Sequence, residues 1–315
     1  MNTPIRSFLF VPGDSEKKLG KVASSGADAV ILDLEDSVSA ARKPIAREMV
    51  GEFLANHADD DSMPQLWVRV NSFGSGSALA DLAATVTTGT AGIMIPKVDG
   101  PTDVLRVHHY VEAMEVSVGL ESLKIKLMPV ATETALAPFR LGDYPEARIP
   151  RMYGLTWGAE DLSAALGAST NLAPGGGWAE TYRLVRSLTL MAARATSIEA
   201  VETLYVDVRD AEGLAESSRR ARAEGFSGRI AIHPAQVPVI NEAFTPSVDE
   251  VEFACRVVEA FSGDVGSVAI DGKMLDLPHL SQAKRVLALA ANSPTGEAEE
   301  LDSGTASQLV GDARD

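Results

Sequence analysis

The sequence predicts an α/β protein, with a (β/α)8 TIM barrel favoured over a doubly wound sheet. Three observations carry this: short β-rich runs alternate with longer helical stretches, the runs are almost wholly apolar, and there are eight of them. Near-continuous apolar strands are buried on both faces, as in a parallel sheet. Alternation with helices supplies the crossovers that such a sheet needs. A count of eight favours closure into a barrel.

The elements follow in order. Ser7–Val11 reads as a strand and Glu16–Ser25 as its helix. The next three units pair Ala29–Asp33 with Pro44–Asn56, Leu66–Asn71 with Ala78–Thr87, and Gly92–Pro96 with Asp103–Val118. Lys126–Val130 precedes a short helix around Ala135–Leu141, and Met152–Thr156 precedes a helix over Ala179–Thr196. Thr203–Asp207 precedes Glu212–Glu224, and Arg229–Ile232 precedes Gln236–Ala243. The barrel is therefore expected over residues 1–245. Residues 246–291 read as a C-terminal helical extension, a lid, with helices at Val248–Ser262 and Leu280–Ala291 and a turn at Asp271-Gly272 between them. The piece is too small for a core of its own and is expected to pack on the barrel or on a neighbouring subunit. Residues 292–315, rich in Ser, Gly, Glu and Asp, read as a disordered tail.

Composition excludes several classes. The 315 residues are 45% hydrophobic and 23% charged, which is ordinary for a soluble chain. No run of 18 apolar residues occurs, so no membrane span is expected. Met1 to Pro12 is too short and wrongly flanked for a secretory leader. The single cysteine, Cys255, has no intrachain partner, which fits a reducing cytoplasm. The net charge of −16 repels nucleic acid and anionic membranes. Binding an anionic substrate then requires basic residues or a metal ion to reverse the field locally.

Barrel chemistry sits at the C-terminal ends of the strands. Here those ends carry Asp14, the run Asp33-Leu34-Glu35-Asp36, Arg69, Pro96-Lys97, Glu133, Asp161, Asp207 with Asp210, and His233. Glu133 and Asp161 follow adjacent strands. Two converging carboxylates suit a hard divalent ion such as Mg2+, although either could instead cap a helix N-terminus. Arg69 ends an apolar strand, where an unpaired cation is costly. Its fork matches a carboxylate, from the substrate or from Asp33 or Glu35. Lys17 and Lys21 share a helix face at a spacing of four and form a candidate phosphate site. His233 could be catalytic, a binding residue or a hydrogen-bonded rim residue. No phosphate-binding P-loop, zinc pattern, nucleophile elbow or dinucleotide fingerprint is present.

The motifs occur in a familiar order. They are Arg6 to Gly13 (RSFLFVPG), Ala29 to Ser37 (AVILDLEDS), Arg69-Val-Asn71, Ile95-Pro-Lys97, Glu133-Thr, Gly158-Ala-Glu-Asp-Leu162, Tyr205 to Asp210, Ile232-His-Pro-Ala-Gln236 and Asp271 to Asp276 (DGKMLD). Over roughly residues 5–290 the chain resembles the citrate lyase β-subunit-like (CitE-like) branch of the HpcH/HpaI aldolase family, which is related to malyl-CoA and citramalyl-CoA lyases. The resemblance implies a (β/α)8 barrel with a C-terminal extension, in homotrimers or homohexamers with sites shared between subunits. It implies cleavage or formation of a carbon–carbon bond in a β-hydroxyacyl-CoA thioester, giving an acyl-CoA and a 2-oxo acid, with Mg2+ or in some members Mn2+.

By the same resemblance Glu133 and Asp161 are the metal ligands and Arg69 engages the acid substrate. Lys17, Lys21, Ile232 and His233 fall at or near CoA contacts. Phe10 lies where some relatives carry a substrate-contacting Tyr, and it lacks that hydroxyl. Asp276 matches an acid offered to a neighbouring subunit's site, where it is the candidate for proton transfer. Glu35 and Asp36 are expected to organise Arg69 and metal-bound water. Two alternatives remain: a citrate lyase β-subunit acting on a citryl-acyl-carrier-protein, and a non-catalytic acyl-CoA-binding protein. Retention of Glu133, Asp161, Arg69 and Asp276 together argues against the second.

Overall fold

The structure, a computed structural model, describes residues 4–263 and 265–290. They divide into two compact units, Ile5–Phe244 and a second that takes in Pro4 and the described residues from Thr245 on. The expected tail at 292–315 lies outside the described residues.

The first unit contains eight parallel strands: β1 (Ser7–Pro12), β2 (Ala29–Asp33), β3 (Gln65–Arg69), β4 (Gly92–Ile95), β5 (Lys126–Pro129), β6 (Gly154–Thr156), β7 (Glu199–Glu202) and β8 (Gly228–Ala231). Their order is β5-β4-β3-β2-β1-β8-β7-β6. Parallel bridges Leu127↔Met152 and Val130↔Thr156 join β5 to β6 and close the barrel. The helices around it are α1 (Glu16–Leu19), α2 (Lys43–Asn56), α3 (Ala78–Thr85), α4 (Pro101–Ser117), α5 (Tyr144–Ala147), α6 (Ala159–Leu166), α7 (Glu180–Ala195), α8 (Ala211–Glu224) and α9 (Val237–Phe244).

Alternation along each strand divides the apolar residues between two cores. Phe8, Ile31, Trp67, Met94, Met128, Tyr153, Val201 and Ile230 fill the barrel. Leu9, Val30, Leu32, Val68, Ile93, Leu127 and Leu155 face the helices. Inside the barrel Phe8, Trp67 and Tyr153 meet edge to face at 5.3–5.8 Å, the arrangement that ring quadrupoles favour. Gly92 makes room for this layer, since a Cβ there would lie 2.4 Å from the Trp67 ring.

Four local expectations are corrected. Strand seven is Glu199–Glu202, not Thr203–Asp207: Val206 and Val208 are 60% and 42% exposed and belong to a rim loop. The true strand has a Glu at each end, which hides it from a search for apolar runs. The first helix stops at Leu19, not Ser25, so Lys21 lies in the turn after it and does not share a helix face with Lys17. The helix expected directly after β6, Ala179–Thr196, is not the next element, because α6 intervenes, capped by Gly158 before it and by Gly167 with φ 68° after it. The strand expected from Met152 is β6 only from Gly154.

The second unit holds α10 (Val248–Ala260), the antiparallel hairpin β9 (Ser267–Ile270) and β10 (Lys273–Asp276), and α11 (Leu277–Ala290). Ser247 and Glu250 form a capping box at the start of α10. The hairpin turns at Asp271-Gly272 with φ of 50° and 76°, the sign pattern that an Asp-Gly pair tolerates in a two-residue turn. Ala254, Val257, Phe261, Ile270, Leu275 and Ala283 form its small core. Among the described residues no helix is long and apolar enough to cross a membrane.

Candidate active site

The site begins with a buried carboxylate. Asp33 ends β2 with no exposed surface. Its oxygens accept the backbone N–H groups of Glu35 and Ser37, each at 3.0 Å, which turns the chain and places Glu35 and Asp36 on the rim. Arg69 ends β3 directly opposite Asp33 in the strand register. Its Nε donates to Asp33 Oδ1 at 2.7 Å and its Nη2 to Oδ2 at 2.8 Å. Burial opposes charge on Asp33, but the Arg69 hydrogen bonds and charge prevail and hold its carboxyl below the usual range. Burial likewise opposes charge on Arg69, and the carboxylates around it hold it firmly protonated. Two arms of the guanidinium are therefore spent on a structural pair. The third nitrogen, Nη1, lies 3.2 Å from Glu35 Oε2, close enough for charge attraction but without a hydrogen bond to that oxygen. The guanidinium carbon sits 4.5 Å from the centre of the Phe10 ring, a cation–π contact.

Glu133 and Asp161 approach from the next strands. Glu133 follows β5 and is 5% exposed. Its Oε2 accepts the Lys97 backbone N–H at 2.6 Å. Lys97 adopts φ 53° to present that N–H, a left-handed conformation that costs a non-glycine residue about 1 kcal/mol. Gly158 lets Glu133 sit where it does, since a Cβ there would approach Glu133 Cγ to 2.8 Å. Asp161 lies in the first turn of α6, where the helix dipole favours an anion. Burial first, and then the charges of Asp161 and Glu35, raise the Glu133 carboxyl to about 8.

The residue that joins these groups is Lys97, which sequence reasoning placed on the rim without a role. Its Nζ donates to Glu35 Oε1 at 2.6 Å and to Asp36 at 3.0 and 3.3 Å, and lies 3.5 Å from Asp161 Oδ1. Burial works against the charged amine, and the carboxylates outweigh it and raise its pKa. Burial also raises the Glu35 carboxyl, against the pull of Arg69 and Lys97. A signal was present in the sequence: a rim with so many acids needs internal cations, and Lys97 follows a wholly buried strand.

The remaining predicted residues are placed as follows. Lys17 and Lys21 are exposed around the end of α1. Ile232 and His233 follow β8, and both backbone N–H groups donate to the buried Gln236 Oε1, at 2.9 and 3.2 Å. His233 Nδ1 accepts the Ala235 N–H at 3.1 Å, which makes it a capping residue on that side of the ring. Asp276 ends β10 in the second unit, exposed, with Oδ1 2.6 Å from His279 Nδ1.

The donor set suits a hard divalent cation. Glu133 and Asp161 offer only oxygens, and Glu133 is a buried carboxylate that accepts one backbone N–H and forms no ion pair within 4 Å among the described residues. Mg2+ takes one or two carboxylates and keeps positions for water and substrate oxygens.

A model for the HpcH/HpaI aldolase/citrate lyase family matches residues 6–234. The chain belongs to this family. A second model, for carbon–carbon bond lyases of the TIM-barrel fold, matches residues 184–292. The chain is 33% identical over 287 residues to the citrate lyase subunit beta-like protein of Mycobacterium tuberculosis, covering 91% of this chain and 96% of that one. It is 32% identical over 305 residues to the mitochondrial citramalyl-CoA lyase of Rattus norvegicus, covering 92% and 87%. The solved structure of CitE from M. tuberculosis with magnesium, acetoacetate and coenzyme A superposes with a TM-score of 0.71 at 31% identity, covering 92% of this chain and all of that one. The chain is accordingly an enzyme of the carbon–carbon lyase class.

Proposed function

We propose that this lyase cleaves, or in reverse forms, a β-hydroxyacyl-CoA thioester such as citramalyl-CoA or malyl-CoA, giving an acyl-CoA and a 2-oxo acid with the help of Mg2+. The observation that carries this reading is the convergence of Glu133, Asp161 and Arg69 on one rim of the barrel. The relatives named citrate lyase subunit beta-like protein and citramalyl-CoA lyase support the reaction class. The M. tuberculosis complex with magnesium, acetoacetate and coenzyme A supports the ligand set.

Glu133 and Asp161 would hold the ion, which supplies charge stabilisation for the hydroxyl oxygen as it becomes a carbonyl. The Arg69 edge not spent on Asp33 would orient the acid end of the substrate. Glu35 and Asp36 hold Arg69 and Lys97 in place from behind. The bond between the hydroxyl-bearing carbon and the thioester α-carbon breaks, and its electron pair passes to the thioester as an enolate. That carbon then takes a proton, for which Asp276 of a neighbouring subunit is the donor in this reading. The hydroxyl proton passes to solvent and Asp276 regains a proton from solvent, so the protons balance and no water, oxidant or reductant is consumed. Exposed Lys17 and Lys21, with Ile232 and His233, would receive the CoA. The working form is then a homotrimer or homohexamer, in the cytoplasm.

The test is a Mg2+-dependent assay of purified protein on malyl-, citramalyl- and citryl-CoA. Release of glyoxylate, pyruvate or oxaloacetate identifies the acid half. No turnover on any of them, together with tight CoA binding, would replace the reading with a binding protein. Mixing inactive Asp276→Asn with inactive Glu133→Gln subunits should restore part of the activity if sites are shared.

A further inference from the structure

Lys97 meets four carboxylates of the rim: Glu35, Asp36, Asp161 and, through its main chain, Glu133. Its ammonium lies 2.6 Å from Glu35, 3.0 Å from Asp36 and 3.5 Å from Asp161, and its backbone N–H holds Glu133 at 2.6 Å. The main chain is held left-handed at this residue, so the placement is built into the backbone. The stem can still move, because the side chain is 30% exposed and the Asp161 contact is the longest of the set. With Arg69 committed to Asp33, Lys97 is the cation nearest to Asp161 among the described residues.

We propose that Lys97 is a tethered counter-cation. Its ammonium occupies the electrostatic place of the divalent ion when none is bound, and must withdraw from Asp161 towards Glu35 and Asp36 for the ion to enter. The inference rests on the metal reading of Glu133 and Asp161 and adds a competitor to it. Two effects follow from one charge. Lys97 lowers repulsion among the acids in the metal-free protein, and it weakens metal binding by setting a positive charge within a few ångströms of the incoming ion.

The experiment is Mg2+ titration by calorimetry, with thermal melts in EDTA and in saturating Mg2+. The proteins are native, Lys97→Met, Lys97→Gln, Lys97→Arg and Glu133→Gln. Lys97→Met should bind Mg2+ about tenfold more tightly and melt at lower temperature in EDTA, with much of that loss recovered in Mg2+. Lys97→Gln removes the charge but keeps a donor for Glu35, and it should show the same tightening even if Lys97→Met does not fold. Lys97→Arg keeps the charge and should not tighten. Binding that Glu133→Gln loses, but that neutral variants at 97 leave unchanged or weaken, overturns this inference alone and makes Lys97 a simple prop. Binding absent from the native protein, or retained in Glu133→Gln, overturns the metal reading and this inference with it.

Discussion

Two charged clusters sit at opposite ends of β5 and β6, and they are balanced differently. At the N-terminal end Arg151, with no exposed surface, donates to both oxygens of the equally buried Glu115 at 2.9 Å. It also donates to the Ile125 carbonyl at 2.8 Å and to His108 Nδ1 at 2.7 Å. Glu115 further accepts the Leu123 and Ile125 N–H groups. One cation meets one anion, and backbone and ring groups take up much of the rest. At the C-terminal end the only cations that Asp33, Glu35, Asp36, Glu133 and Asp161 meet among the described residues are Arg69 and Lys97. A balanced buried cluster stabilises the fold and leaves a ligand nothing to complete. A cluster with surplus negative charge is completed by a cation. His108, His109 and Glu112 on α4 lie close enough together to suggest a metal site, but His108 Nδ1 already accepts from Arg151, which ties that histidine to the structural cluster.

This contrast can be broken from either side. The largest expected effect is Glu133→Gln: kcat falls by at least about 10^4-fold, since one ligand of the proposed ion is lost. Its melting temperature in EDTA should hold below pH 8, where the native carboxyl already carries a proton, and rise above native at higher pH. Steady-state assays with thermal melts check both, and full activity would move the metal elsewhere. Next is Arg151→Met, which leaves Glu115 buried without its cation and should cost about 3–5 kcal/mol of stability by urea denaturation. Its kcat at 25 °C, measured on folded protein, should stay within about twofold of native, and a large loss would tie the two clusters together.

A smaller and pH-dependent effect comes from Glu133. Its folded carboxyl is raised from 4.5 to about 8, so between those values the folded state holds a proton that the unfolded chain has released. Stability of the metal-free protein should therefore fall as pH rises from about 4.5 to about 8 and level off above. Mg2+ binding should release a proton below pH 8, and calorimetry in buffers of different ionisation heat measures it. A proton count of zero at pH 6 would exclude Glu133 as the group displaced. The smallest effect is Lys17→Ala with Lys21→Ala, which should raise KM for the CoA thioester by about three- to tenfold at low salt with kcat unchanged. An equal loss in the presence and absence of added salt would place the CoA elsewhere.

Much of this was legible because barrel strands announce themselves locally. Val30, Ile31 and Leu32 run straight into Asp33, and Gly92–Ile95 runs into Pro96-Lys97, so the rim acids and Arg69 could be named from strand ends alone. The exceptions have physical reasons. Strand seven is short and flanked by Glu199 and Glu202; Glu202 is buried because Arg186 and Trp157 reach it, at 2.6 and 2.7 Å, from other elements. No local pattern reports such partners. The short helix carrying Asp161 is absent from the sequence reading, since its eight residues lie before a longer and stronger helix.

What the sequence by itself determined was the alternation of buried strands with helices and the kind of side chain each strand end delivers, since both depend on neighbours a few residues apart. Which of those side chains meet was decided only by the tertiary fold. The register of β2 against β3 set Asp33 opposite Arg69, committing two arms of a guanidinium that the sequence left open between substrate and protein. The curl of the sheet into a barrel brought Lys97 among acids from three other strand ends, up to 64 residues away in the chain. Electrostatic balance depends on distances of a few ångströms between residues far apart in sequence, and the tertiary fold alone sets those distances.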